Sequence, residues 1–188
     1  MMIFTRSSYI FLFFVVLFSH QICAQFYQTT SVNIQFFSSA PIEDISAVSR
    51  EGISVLNPDH AEISIKVKIR SFRFRKALMQ EHFNENYMES ERYPEATFRG
   101  RSIEKLKLVP GSSQKIIFQG SLMIHGVAQE RQIPAIISLA NDKKTIRLTS
   151  EFEIKCKDHD IRIPRLLWEN IAETIAVNVN ANFQMRSK

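Results

Sequence analysis

Cysteine, glycine and proline are all scarce in this chain, and each scarcity excludes something. There are two cysteines in 188 residues, Cys23 and Cys156. The first falls in a leader-like N-terminus, so the remaining chain cannot form an internal disulfide and must rest on its core. Five glycines and six prolines are too few for a linker, and no repeat or low-complexity stretch is present. The net charge of +5 is mild and implies no nucleic-acid partner. The histidines do not stand in a zinc or hydrolase spacing such as H-E-x-x-H. No apolar run reaches the ~20 residues needed to span a bilayer. What is present is a hydrophobic share of 45%, enough to build a core.

The N-terminus reads as a secretory signal. Arg6 supplies the positive start and Tyr9 to Phe18 is unbroken apolar sequence. Ala24 offers a cleavage site before Gln25, with Ile22 bulkier than usual two residues earlier. The alternative, a lipidated Cys23, lacks the small residue that lipidation wants beside the cysteine. The expected organisation is a signal peptide over 1–24 and one domain over 25–188, exported to the periplasm or secreted. One domain suits that length.

Within that domain, alternation with period two dominates. Val32, Ile34 and Phe36 alternate with polar residues, as do Ile63, Ile65, Val67 and Ile69. After Ser71 the apolar phase slips to Phe72 and Phe74, which predicts a bulge or bend. Further runs are Ile116 with Phe118, Leu122 with Ile124, Ile146 with Leu148, Phe152 to Cys156, Ile161 with Ile163, and Ile175 to Phe183. Turn signals at Asn57-Pro58-Asp59, Pro110-Gly111 and Asn141-Asp142 separate them. Two segments have helical spacing: Ala77 to Ser90, and Arg165 to Glu173 with Leu167, Trp168 and Ile171 on one side. The expectation is an all-β fold: an antiparallel barrel of about eight strands, with one or two short helices closing its ends.

Two motifs carry a family resemblance. The first runs through His82-Phe83 to Tyr93-Pro94 and Phe98; the second is Gly120, Leu122, His125, Gly126 and Val127. In that order they resemble the YceI-like, lipid- or polyisoprenoid-binding family, from about Thr29 to Phe183. The resemblance implies a lipocalin-like barrel whose lumen holds an isoprenoid or another long-chain amphiphile. Two family elements are incomplete. The opening strand, Thr29 to Ser38, lacks the family's histidine, and Thr149-Ser150-Glu151-Phe152 only partly echoes a late arginine- and glycine-containing element.

Candidate ligand contacts follow from the inward phase: Phe36, Val67, Phe98, Phe118, Leu122, Ile124, Phe152, Ile154 and Val177, with Ile34, Ile65 and Val179 in the same set. Leu78, Met79, Phe83, Tyr87 and Trp168 would close the ends. His82 and His125 are candidates to meet a polar head group, the plainer expectation being hydrogen bonds to backbone or carboxylate at the rim. His60 and His159 read as loop residues, and Cys156 as a buried, inert thiol. No metal site and no catalytic residue is expected. An enzyme using His82 or His125 as base would lack a partnered nucleophile. The basic stretch Lys66 to Lys76 reads as a solvated outer face, with transient contact to anionic membrane lipid as the alternative. No cofactor is implied beyond a bound lipid. A packed-barrel adaptor with no cavity is the second functional reading, and the oligomeric state is open, a homodimer included.

Overall fold

The computed structural model describes residues 26–39, 44–163 and 173–185. Among the described residues nine strands form one antiparallel sheet: β1 (Tyr27–Ser38), β2 (Ile45–Asn57), β3 (Glu62–Lys68), β4 (Arg73–Phe74), β5 (Glu95–Ser102), β6 (Ser113–Ile124), β7 (Val127–Leu139), β8 (Thr145–Lys155) and β9 (Thr174–Met185). Their order is β1-β9-β8-β7-β6-β5-β3-β2-β4, and pairing of β1 with β2 closes the eight long strands into a barrel. Closure gives each long strand a neighbour on both sides, although β7 and β8 pair only through Ile136–Leu139 and Ile146–Thr149.

β3 and β4 are one barrel strand interrupted. Both pair with β2, but Ile53 faces Lys66 whereas Val48 faces Arg73. Five residues along β2 therefore match seven along its partner. The two extra residues are taken up in a 3-10 turn at Ile69–Ser71. The turn is fixed from inside: the Ser71 hydroxyl donates to the Lys68 carbonyl (2.5 Å), which leaves Ser49 to donate to Ser71 (2.6 Å). The phase slip read at this point is that turn.

Sequence alternation left β2, β5 and β7 unmarked and added a false strand. β2 turns Ala47, Ser49, Gly52 and Ser54 inward and leaves Ile53 and Val55 exposed, an inverted pattern. β7 begins with Val127, Ala128 and four polar residues before Ile133, Ala135, Ile137 and Leu139 turn into the core. Conversely, Ile161 to Ile163 is not a strand. A tight 3-10 turn at Cys156–His159, ending on left-handed Asp160, takes the chain away from the sheet there.

The helix expected over Ala77 to Ser90 is α1 (Ala77–His82), continued by one π-helical turn at Phe83–Tyr87. It sits at the barrel end where β4 stops and β5 begins. The Gln80 amide oxygen accepts from the Phe74 N–H (3.3 Å), covering an edge donor of the short β4. The second expected helix, with Trp168, lies outside the described residues.

The barrel interior has two halves. Toward the chain termini it is solid: Val32, Leu56, Ile137, Ile146 and Phe183 are all essentially inaccessible. Toward α1 it is hollow.

Candidate ligand cavity

The hollow half is a cavity of about 570 Å³ with an opening beside α1. Typical ligand pockets span ~300–1,000 Å³. Its wall is built strand by strand from the inward phase, each strand but β2 and the short β4 giving residues at i and i+2. Phe36, Val67, Phe98, Phe118, Leu122, Ile124, Phe152, Ile154 and Val177 all line it, together with Leu78, Met79, Phe83 and Tyr87 from the helical segment. Ile34, Ile65 and Val179 do so as well. Of the expected contacts, Trp168 alone lies outside the described residues.

Its floor is well defined. On β1 the lining ends at Ile34 and excludes Val32; on β6 it starts at Phe118 and excludes Ile116. On β8 it starts at Leu148 and excludes Ile146, and on β9 it ends at Val179 and excludes Ala181. The excluded residues are buried against one another in the packed half.

At the mouth Phe83 inserts among three other rings. It stacks on Phe36 at 5.4 Å between centroids and meets Phe74 and Phe72 at 5.0 and 5.9 Å. Such pairs contribute ~0.5–1.5 kcal/mol each beyond their buried area. Apart from this contact α1 is weakly held: it buries no residue fully, and Leu78 is 60% exposed. Phe72 and Phe74 were not among the expected contacts, because their role depends on the two-residue slip that precedes them.

Polar groups in the wall are few. Ser150 is satisfied by donating to the Pro134 carbonyl (2.6 Å). Burial raises the Tyr87 hydroxyl above its ordinary range. Cys156 is buried in the lining, and burial pushes its thiol up to about 11. A thiol so shifted is not a nucleophile at neutral pH. Among the described residues no cluster of His, Cys, Asp or Glu could hold a metal ion. His82 and Lys76 line the cavity on the helical side, and His82 is exposed.

His125 takes the plainer of its two expected roles: it bonds to backbone at a turn and is absent from the cavity wall. With Gly126 it forms the two-residue turn between β6 and β7, and both have positive φ, 51° and 75°. That is the primed geometry whose twist suits a hairpin. Tyr93 packs edge-on against the His125 ring at 4.4 Å and lies so close over Gly126 that a Cβ there would come 2.5 Å from it. His125 Nδ1 donates to the His159 carbonyl (3.2 Å), and its Nε2 lies 3.3 Å from Glu89, out of line for a good hydrogen bond. The signature histidine therefore ties the β6–β7 turn to the loop after β8 and to the end of the π-helical turn. The ring is buried under Tyr93 and absent from the cavity wall.

His159 completes the tie. Fully buried, it donates from Nδ1 to the Val127 carbonyl (3.1 Å). Burial, with Arg131 nearby, lowers its pKa below the ordinary ~6.5. A histidine depressed in the folded state contributes stability that is complete above its unfolded pKa and is lost as pH falls through its folded pKa. Urea midpoints taken downward from pH ~6.5 should therefore fall more steeply for the wild type than for His159→Asn, whose amide can still reach the Val127 carbonyl. Parallel slopes would contradict this reading.

A YceI-like domain model matches residues 21–183. The chain belongs to the YceI-like family. No curated protein sequence matches it significantly. Among solved structures it resembles a polyisoprenoid-binding domain from Saccharophagus degradans, with a TM-score of 0.73 and 13% identity over 86% of this chain and 98% of that one. It also resembles BcnA of Burkholderia cenocepacia, with a TM-score of 0.63 and 15% identity over 81% and 95% of the two chains. A third similar structure is the YceI protein of Campylobacter jejuni, with a TM-score of 0.56 and 20% identity over 80% and 85%. At these identities the likeness establishes the lipocalin-like barrel. In this YceI-like chain the family signature is chiefly architecture: Leu122 and Phe98 reach the lumen, while Tyr93, His125 and Gly126 lock the turn.

Proposed function

We propose that this protein is a carrier or store for one long-chain apolar molecule, an isoprenoid or another lipid, held tail-first in the hollow half of the barrel. The observation that carries the reading is the cavity itself: about 570 Å³, open at one end, with a wall almost wholly of Ile, Leu, Val and Phe. Family membership and the polyisoprenoid-binding name of one similar structure support the same ligand class. Binding would be by burial, at ~0.8 kcal/mol per carbon or about 4 kcal/mol gross per five-carbon unit. The ordering of a flexible chain offsets part of that. At a water-like ~30 Å³ per heavy atom, the space takes about twenty such atoms, or about four five-carbon units.

The head group would remain at the mouth, near His82 and Lys76. The mouth would also touch a membrane transiently to collect cargo, through exposed Leu78 beside Arg75 and Lys76. The protein would act as a binding protein rather than an enzyme, outside the cytoplasm, after loss of residues 1–24. The apolar leader sequence supports that location.

Native mass spectrometry of the exported protein tests the reading. The expected result is a one-to-one adduct of a long-chain lipid, recovered by extraction. A bare mass that persists after incubation with isoprenoid quinones and fatty acids would retire it.

A further inference from the structure

We propose that Phe118, with Phe98, is the ruler of this cavity: these rings end the lumen halfway along the barrel and so fix how long a chain can be buried. The inference rests on the lipid-tail reading above and deepens it. Phe118 is the lowest lining residue of β6 and among the most deeply buried large side chains in the protein. It pairs across the sheet with Ser102 and Ile133, and the next inward residue of β6 below it, Ile116, is excluded from the cavity.

Phe98 stands higher, on β5 opposite Leu122, and its ring points down the barrel. Its ring lies over Gly100, where an added Cβ would come 2.6 Å from the Phe98 Cζ. Gly100 in turn faces Gly120 across the ladder. This pair supplies no side chains of its own, and the room over Gly100 is taken by the Phe98 ring. The floor thus combines these large rings with Ile34, Leu148 and Val179 and with the small Ala135. Its height is open to change in either direction by one substitution.

A tail that enters at the mouth gains contact with each carbon until its end meets this floor. Beyond that length, further carbons stay outside and gain little. Affinity should therefore rise with chain length by about fourfold per methylene, then break to a plateau.

Calorimetric titration with a homologous series of saturated fatty acids reads that break. Phe118→Ala should move it to longer chains, and Ala135→Leu should move it to shorter ones. Thermal melting of each variant checks that it is folded, and Ala135→Leu suffices alone if Phe118→Ala does not fold. A break that stays in place in a folded variant, or a rise that never breaks, overturns the ruler and leaves the carrier reading standing. Failure of the wild type to bind any length overturns both.

Discussion

Ala96→Trp is expected to abolish most lipid binding while leaving the barrel folded. Ala96 stands on β5 opposite Val67 of β3, half-buried, and faces the upper part of the cavity. An indole placed there enters empty space, so the usual overpacking cost of ~1–3 kcal/mol should be largely avoided. The tail, however, loses the room for about four or five carbons. At ~0.8 kcal/mol each, that is about 3–4 kcal/mol, or two to three orders of magnitude in affinity. Titration with a fatty acid, beside thermal melting, checks both halves. Unchanged affinity in the folded variant would place the ligand elsewhere. A large fall in melting temperature would mean that the space is not available to the indole.

Gly120→Ala is expected to do the reverse and damage the fold itself. Gly120 pairs with Gly100 where β5 and β6 run close together. A Cβ at this position would fall well inside contact distance of the Arg99 carbonyl and the Gly100 Cα, both rigid backbone. Neither can swing aside as a long side chain would. The strands must separate, and with them goes the ladder that carries Phe98 and Leu122. Replacing glycine by alanine restricts the unfolded chain and returns ~0.4–1 kcal/mol, but the clash should outweigh it. A net loss of about 3 kcal/mol, or about 6–12 °C in melting temperature, is the expected scale. Gln119→Ala, one residue away and exposed, should stay within about 0.5 kcal/mol. Equal stability of the two variants would contradict this account of the signature glycine.

Much of this was legible in the sequence, and the exceptions have physical causes. Strands whose inward residues are large and apolar, such as β3, β6 and β9, announced themselves by period two. β2 did not, because its inward positions are small or hydroxyl-bearing where it passes the Ser49–Ser71 contact, while Ile53 and Val55 face outward. The mouth was legible only in part. The phase slip marked a bend, but that the bend sends Phe72 and Phe74 around Phe83 depends on which strand β4 pairs with, a long-range fact. His125 was left between two roles for a related reason. A histidine within a signature invites a role toward ligand, whereas the adjacent glycine was the better guide: together they make a primed turn, and the ring falls under Tyr93 instead of into the lumen. Nor does alternation show where a barrel changes from hollow to packed, since Ile146 and Leu148 look alike in sequence and only one meets the cavity.

The central claim is that the ligand occupies one half of the barrel and leaves the other untouched. Methyl resonances of isoleucine and leucine, followed by NMR as a long-chain fatty acid is added, test it most directly. Ile124, Ile154 and Leu122 should shift and show contacts to the acyl chain, while Ile137, Ile146 and Leu56 stay in place. Shifts spread evenly over both groups, or confined to surface residues such as Ile53 and Ile136, would contradict the account.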